Sequence, residues 1–232
     1  MAETDWAFIS DSLDSGSVKR GVTTGEPRPN GGGNFVFGFN SIVNTPGAVG
    51  LYAAQTGFAP MTKGASIRAA VKRGVSGAPT NFAPFLFAGL AGNTVAASAY
   101  LLGLDDDDPH RIVIVKGSLA AGIPPVAPGT SGVLKQGSET FLNNTWLHLR
   151  LDMIVNVNGD VILKAFRSDL TVNLVTAPVW VPAPGCETFV DDALAVNSGS
   201  APLTSGYGGF GFQTKDVTRR VFFDQLEVQK QL

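Results

Sequence analysis

Short segments of alternating apolar and polar residues recur along the chain and predict β-strands. The clearest runs from Trp146 to Met153, where leucine or methionine occupies every second position. A second segment, Asp160 to Arg167, follows the turn residues Asn156 to Gly159. An Asn-Gly step readily supplies the positive backbone dihedral angle that a tight turn needs. These residues therefore predict a β-hairpin.

Further strands are predicted upstream. Asn34 to Ser41 alternates large and small residues. Ser66 to Arg73 places one face of apolar residues, Ile67, Ala69 and Val71, opposite a face with Arg68 and Lys72. Phe82 to Leu90 is apolar at both odd and even positions, apart from one proline. This pattern is typical of a strand that is covered on both faces or that starts at a bulge. Tyr100 to Leu104 and Arg111 to Lys116 flank an acidic turn and predict another hairpin.

The end of the chain carries two aromatic, alternating segments. Gly206 to Phe212 and Arg219 to Val228 are separated by a short polar turn, which favours a closing hairpin. Strict alternation would place Asp224 on the inward face together with Phe222 and Leu226. A buried carboxylate of this kind needs hydrogen-bond partners or an ion, and a structural hydrogen bond is the commoner explanation.

Composition predicts the fold class and the domain organisation. The chain has 232 residues, 44% of them hydrophobic, and its 28 glycines and 14 prolines are spread along its length. Many short strands joined by tight turns fit this distribution, whereas long helices do not. We expect an all-β, two-sheet antiparallel sandwich formed by residues 34–232, preceded by an extended N-terminal arm with a first strand in residues 1–33.

Charge and cysteine content narrow the range of partners. A net charge of −2 gives no basic footprint for nucleic acid. The single cysteine, Cys186, excludes an intrachain disulfide, and we expect it to pack as a small apolar side chain. The N-terminal residues Met1 to Trp6 have no basic start and no apolar stretch after them, so they do not resemble a secretory signal. No run in the sequence approaches the ~20 apolar residues of a membrane helix. We therefore expect synthesis in a cytoplasm and no membrane partner.

Four segments together resemble the second half of concanavalin-A-like jelly rolls. They are Thr145 to Asp152, Asn158 to Leu163, Gly206 to Phe212 and Phe222 to Val228. In that superfamily, a strand with a W-x-x-x-R pattern precedes a Gly-Asp turn, and the chain closes with a glycine-rich and an aromatic-Asp strand. The resemblance implies a lectin- or glucanase-type jelly roll. The small residues, single cysteine and N-terminal arm also resemble virion proteins of tailed bacteriophages.

Candidate catalytic and metal-binding residues are few. Glycosidases with this fold often carry a Glu-x-Asp-x-Glu strand, which supplies two carboxylates about 5 Å apart, and the chain has no such triplet. Asp105 to Asp108 and Asp191-Asp192 could bind calcium, but contiguous aspartates more often form solvated turns. His110 lies in a predicted turn, and His148 lies at a predicted outward strand position. No Gly-x-Ser-x-Gly nucleophile elbow accompanies them, although a Ser–His–carboxylate arrangement stays open. We therefore predict no catalytic residue, metal or cofactor, and no enzyme activity.

The leading functional prediction is a structural protein of a bacteriophage virion. The resemblance implies a capsid decoration protein of the cement or minor capsid type, made in the bacterial host and self-associating as a homotrimer. Lys19, Arg20 and Arg28 are the predicted arm contacts, because basic side chains suit an acidic docking surface on the major capsid protein or another virion protein.

The alternative prediction is a lectin-like module of a phage tail that binds a glycan on the host surface. It depends on aromatic residues expected in loops, because aromatic rings stack on the faces of sugars. The candidate stacking residues are Trp180, Tyr207 and Phe58. Trp180 could equally fill one end of the sandwich. Catalytic carboxylates that converge from separate strands would make a third possibility, a glycan-cleaving enzyme.

Overall fold

The computed structural model shows an all-β chain, with no helix among the residues it describes. These are residues 7–10, 18–23, 36–41, 49–54, 60–74, 82–92, 94, 96–105, 109–119, 121, 132–142, 145–169, 178–192, 200–214 and 220–230. The strands within those ranges are β1 (Ala7–Ser10), β2 (Val18–Thr23), β3 (Val36–Ser41), β4 (Val49–Ala54), β5 (Gly64–Gly74), β6 (Phe82–Leu90), β7 (Ser98–Leu104), β8 (His110–Ser118), β9 (Val133–Phe141), β10 (Trp146–Val155), β11 (Val161–Asp169), β12 (Val181–Pro182), β13 (Phe189–Asp191), β14 (Tyr207–Thr214) and β15 (Arg220–Lys230).

The strands form two antiparallel sheets. A seven-stranded sheet has the order β1-β4-β14-β6-β7-β8-β9. An eight-stranded sheet has the order β12-β11-β10-β5-β15-β3-β2, and β13 also pairs with β11. The predicted two-sheet antiparallel sandwich is therefore confirmed.

The N-terminal region contributes one edge strand to each sheet. β1 pairs with β4 in the seven-stranded sheet, and β2 pairs with β3 in the eight-stranded sheet. Lys19 lies opposite Asn40 and Arg20 opposite Phe39 in the second of these pairings. Arg28, the third predicted arm contact, lies outside the described residues. The division at residue 33 and the docking role of the arm stay predictions.

The hairpin between β10 and β11 is confirmed in its predicted register. The pairing runs from Leu147 opposite Asp169 to Val155 opposite Val161. The Asn156 side chain organises the turn, because its Oδ1 accepts hydrogen bonds from the backbone nitrogens of Asn158 and Asp160, each at 2.9 Å. Gly159 adopts a φ of 87°, a conformation that glycine reaches without steric cost.

The main core fills the space between the two sheets. Alternate residues of the central strands face it, including Leu147, Leu149 and Leu151 of β10. Phe210 of β14 and Phe223 of β15 meet across the sandwich, with their ring centroids 4.9 Å apart. The core is continuous across both sheets and holds them together by apolar burial.

A second apolar cluster covers the outer face of the seven-stranded sheet. It contains the β6 residues Phe85 and Phe87, whereas Leu86 and Ala88 of the same strand face the main core. This confirms the prediction that Phe82–Leu90 is covered on both faces. The two outer faces of the sandwich therefore differ, because the corresponding face of the eight-stranded sheet is largely polar.

The predicted closing hairpin is wrong. β14 pairs with β4 and β6 in one sheet, while β15 pairs with β3 and β5 in the other. The chain thus crosses the sandwich between these strands. Alternation shows which face of a strand is apolar, but two strands that share a core can lie across it as well as beside each other.

Strand β15 does not keep the strict alternation from which the inward position of Asp224 was predicted. The pairing of β15 with β5 shifts register between Asp224 and Glu227, which is the signature of a β-bulge. Phe223 before the bulge and Leu226 after it both pack against the main core. The bulge therefore reverses the face assigned to each residue after it. The Asp224 side chain lies outside the described residues, so its inward position stays a prediction.

The segment before β13 bridges one side of the sandwich. The Ser138 nitrogen of β9 donates to the Pro184 oxygen at 3.0 Å, and the Ala183 nitrogen donates to the Ala165 oxygen of β11 at 2.9 Å. The segment thus contacts both sheets. Its Cys186 is fully buried in the main core, as the sequence predicted for a small apolar side chain.

Candidate functional site

A groove of about 270 Å³ lies on the outer face of the eight-stranded sheet. Its lining combines an aromatic ring, an ion pair, an imidazole and an amide, which are groups that bind polar ligands. The residues come from β5, β10, β15 and the segment that leads into β12. They are Arg68, Ala69, His148, Pro178, Trp180, Gln225, Leu226 and Glu227.

Strand register places the polar residues of the groove in adjacent rows. One row crosses Arg150 of β10, Arg68 of β5 and Glu227 of β15. The next row places His148 opposite Ala70. Because Leu147, Leu149 and Leu151 face the core, alternation turns His148 and Arg150 to the outer face. The small Ala70 side chain leaves space between its larger neighbours.

Trp180 covers one side of the groove. It directly precedes β12, whose Val181 pairs with Arg167 of β11. This pairing fixes the segment beside β11, and the Trp180 ring lies 6.0 Å from the His148 ring of β10 at an angle of 39°. The ring thus forms an aromatic wall above the polar floor of the groove.

Arg150 supports the Trp180 ring from beneath. Its guanidinium carbon lies 4.6 Å from the centroid of Phe166 and 5.9 Å from that of Trp180. Arg150 Nε donates to Asp152 Oδ1 at 2.8 Å, and Nη2 donates to Oδ2. The hydrogen bond with Asp152 raises the pKa of the Arg150 guanidinium above its usual range. Asp152 therefore holds a permanent cation next to both rings, an arrangement that cation–π attraction favours.

The opposite side of the groove carries an exposed ion pair. Arg68 Nε donates to Glu227 Oε2 at 2.8 Å, and Nη2 donates to the same oxygen. The two side chains are 37% and 36% exposed, so the pair contributes at most about 1 kcal/mol to stability. A guanidinium has five N–H donors, more than this ion pair uses. Arg68 can therefore donate to a ligand while it stays paired with Glu227.

Gln225 lies in the bulge beside this ion pair. Its φ is 52°, and no other non-glycine residue among those described has a positive φ. Such a conformation is uncommon for a residue with a side chain, and strained positions cluster at functional sites. Bulges also redirect side chains next to binding sites. Its position in the groove therefore makes Gln225 a candidate ligand-binding residue.

His148 is almost fully buried although it lies on the outer face, with 4% of its surface exposed. Trp180 accounts for part of this burial because its ring covers the imidazole. The sequence placed His148 at an outward strand position and His110 in a turn. The structure keeps the two apart, because His110 is buried at the start of β8 in the other sheet.

The three predicted stacking residues do not form one site. Trp180 lies in the groove, whereas Tyr207 packs against the apolar cluster on the outer face of the seven-stranded sheet. The two rings are therefore on opposite sides of the sandwich. Phe58 lies outside the described residues. The stacking role of Trp180 stays a prediction, now with a defined set of neighbours.

The expectation that both acidic segments are solvated is wrong for two aspartates. Asp105 and Asp191 are fully buried. Asp105 Oδ1 accepts a hydrogen bond from the Arg111 nitrogen at 2.8 Å, and Oδ2 accepts one from Gln136 Nε2 at 3.0 Å. Backbone and side-chain donors therefore satisfy this carboxylate, as burial requires. Across the described part of the chain, no group of three or more His, Cys, Asp or Glu side chains has a metal-binding arrangement.

Sequence reasoning missed Arg68, Gln225 and Glu227 as members of the site. Alternation in Ser66 to Arg73 did indicate that Arg68 faces outward. Glu227 becomes its partner only because the bulge at Gln225 restores the outward position opposite Arg68. A register shift of this kind leaves no signal in the hydrophobic pattern.

Comparisons with solved structures find proteins of similar fold. The chain is similar to an alginate lyase from Aplysia kurodai, with 12% identity, a TM-score of 0.55 and coverage of 91% of this chain and 87% of that one. It is similar to an endo-β-1,4-glucuronan lyase from Trichoderma reesei, with 9% identity, a TM-score of 0.51 and coverage of 96% and 90%. Lectin II from Ulex europaeus has 12% identity, a TM-score of 0.49 and coverage of 99% and 94%.

Neither a protein-family model nor a curated protein sequence matches the chain. The described residues include no helix that is long and apolar enough to cross a membrane.

The prediction that the protein is not an enzyme is wrong. It took the missing Glu-x-Asp-x-Glu strand of glycosidases as excluding catalysis, but two proteins of the same fold are lyases. Eliminative cleavage does not use the pair of carboxylates that glycoside hydrolysis needs. The fold is a concanavalin-A-like jelly-roll sandwich, and proteins of this fold include enzymes.

Proposed function

We propose that this protein binds a glycan chain in the groove on the outer face of the eight-stranded sheet. The observation that carries the proposal is the convergence of Trp180, the Arg68–Glu227 pair and Gln225 on one groove. An aromatic wall can stack on the apolar face of a sugar. Arginine, carboxylate and amide groups can exchange hydrogen bonds with its hydroxyl groups.

The energetics of the ion pair support a ligand-binding role. A half-exposed pair contributes little to the stability of the fold. A ligand that covers the groove would exclude water from Arg68 and Glu227 and strengthen their hydrogen bonds. Because the two charges balance each other, the ion pair itself suits hydroxyl groups, and a carboxylate on the sugar could still use the remaining donors of Arg68.

Replacing Trp180 with alanine is expected to weaken glycan binding by about 10–100-fold, because the ligand loses about 1.5–3 kcal/mol of apolar contact. The ligand is first selected on a glycan array that contains neutral and uronate polymers. Isothermal titration calorimetry then compares the variant with the wild type.

Val179→Ala is the matched control, because Val179 is the neighbouring residue, is 75% exposed and is not part of the groove lining. It should bind like the wild type. Equal affinity of Trp180→Ala and the wild type would refute the proposed site, and absence of binding across the array would refute the proposed function.

A second candidate function is cleavage of an acidic polysaccharide by β-elimination. It is favoured by the presence of His148 and Arg68 in the same groove. In this reaction, a base removes the proton next to the uronate carboxylate, a carbon–carbon double bond forms, and the glycosidic oxygen leaves with a proton. An imidazole can act as the base, and a guanidinium can stabilise the charge that develops on the carboxylate. The lyases of similar fold are named for alginate and glucuronan.

If the protein is such a lyase, incubation with alginate or glucuronan should generate unsaturated products with a new ultraviolet absorbance. His148→Ala should lower the rate by about 100-fold or more, because it removes the base. His110→Ala is the control, since His110 lies in the other sheet. A variant rate equal to that of the wild type would exclude His148 as the base.

The virion location, the homotrimer and the contact with a capsid protein stay predictions from the sequence. Glycan binding is compatible with the tail-module alternative, in which the ligand is a glycan on the host surface. A glycan identified by the array would supply the first direct test of that alternative, because it must then occur on the surface of the host.

A further inference from the structure

A lysine and an aspartate from opposite sheets meet inside the sandwich, away from the groove. Lys116 lies on β8 of the seven-stranded sheet, and Asp191 ends β13, which pairs with β11 of the eight-stranded sheet. Lys116 Nζ is 2.6 Å from Asp191 Oδ2. Their side chains are 2% and 0% exposed, so solvent does not reach the contact.

Neighbouring groups hold both side chains in place. Lys116 Nζ also donates to the Ser200 oxygen at 2.7 Å, and the Tyr100 hydroxyl donates to Asp191 Oδ2 at 2.6 Å. The Leu203 nitrogen donates to the Tyr100 oxygen at 2.9 Å. Burial raises the pKa of Tyr100 above its usual range, and the hydrogen bond to Asp191 raises it further. Tyr100 therefore keeps its proton and stays a hydrogen-bond donor.

We propose that Lys116 and Asp191 join in an intramolecular amide bond between the two sheets. The ammonium proton passes to the carboxylate, and the uncharged Nζ attacks the Asp191 side-chain carbon. The new C–N bond forms, one C–O bond breaks, and that oxygen leaves as water with two hydrogens from the amine and the acid. The proton from Nζ passes to Oδ2, the oxygen that it contacts, and the Tyr100 hydroxyl donates a hydrogen bond to this same oxygen, which assists its departure as water. No oxidant, reductant or cofactor is required.

The close contact holds the two reacting groups together. Reacting atoms positioned about 3–3.5 Å apart have effective concentrations of about 10⁵–10⁸ M, which accelerates bond formation. Lys116 Nζ lies 2.6 Å from Asp191 Oδ2, one bond away from the carbon that it must attack. Two buried charges also carry a large desolvation cost, whereas an amide is neutral. Because solvent does not reach the two side chains, little water is present to hydrolyse the amide once the released water has left.

Mass spectrometry of the intact, denatured full-length protein tests the proposal. The expected mass is lower than the sequence mass by one water molecule. Tandem spectra of a protease digest should contain one branched peptide in which the Lys116 segment is joined to the Asp191 segment. A mass equal to the sequence mass, with separate Lys116 and Asp191 peptides, would overturn the proposal.

The variant Lys116→Arg distinguishes the proposed amide bond from other reactions that remove one water molecule. The arginine keeps a cation beside Asp191 but cannot form the amide, so the variant should have its full sequence mass. Loss of water in this variant as well would point to cyclisation of an aspartate elsewhere and would contradict the proposal. Tyr100→Phe keeps the ring but removes the hydroxyl, and it should lower the cross-linked fraction.

Discussion

Replacing Asp191 with alanine is expected to lower the free energy of unfolding by about 3–5 kcal/mol, the usual cost of removing one partner from a buried ion pair. The substitution leaves the Lys116 ammonium inside the sandwich with the Ser200 oxygen but without its counter-charge. It also takes the acceptor away from the Tyr100 hydroxyl. In protein that carries the amide bond proposed above, the substitution removes that cross-link instead of the ion pair. Urea unfolding followed by fluorescence measures the change.

Glu139→Ala provides the matched control for this prediction. Glu139 of β9 pairs with Arg167 of β11, with Nε and Oε2 2.8 Å apart, so this ion pair also joins the two sheets. Its side chains are 32% and 24% exposed. The control should therefore lose less than about 1 kcal/mol. If both variants lost the same free energy of unfolding, burial would not explain the contribution of the Asp191 network to stability.

Native Cys186 is expected to react with an alkylating reagent about 1,000-fold more slowly than the unfolded chain near neutral pH. Burial raises the pKa of the thiol from its ordinary value of 9.0 to about 12, and the nearby Glu187 carboxylate contributes in the same direction. The thiolate is the reacting species, so three pH units correspond to about three decades of rate. Labelling rates with and without denaturant measure the ratio.

The same pKa gives the protein a defined alkaline sensitivity. The folded state binds the thiol proton more tightly than the unfolded state does, so this contribution to stability is complete below about pH 9 and is lost as the pH rises towards 12. Cys186→Ser shows no thiol labelling and serves as the blank. Rapid labelling of the native protein would contradict the buried position of Cys186.

Local patterns predicted the strands of this fold better than their arrangement. The β10–β11 hairpin followed from the alternation of Trp146 to Met153 and the turn chemistry of Asn156 to Gly159, because both features act within a few residues. β14 and β15 showed equally clear alternation but belong to different sheets. Whether two such strands pair within one sheet or face each other across the core depends on the rest of the sandwich. Here β14 lies between β4 and β6, and β15 lies between β5 and β3.

The candidate site was predictable only in part for the same reason. Alternation turned Arg68 and His148 to the outer face, and the aromatic character of Trp180 suggested a stacking role. Their association depends on strand register between segments that are far apart in the sequence. The bulge at Gln225 then decides the direction of Glu227. Burial of Asp105 and Asp191 likewise depends on partners from other strands, so both resembled solvated turn residues in the sequence.

A crystal structure of the complex with an oligosaccharide selected on the array would show whether the groove holds the glycan. We expect electron density for a sugar ring stacked on Trp180, with hydroxyl or carboxylate oxygens within hydrogen-bond distance of Arg68, Gln225 or Glu227. Density beside Tyr207, on the outer face of the seven-stranded sheet, would contradict this expectation, as would a ligand that leaves the groove empty.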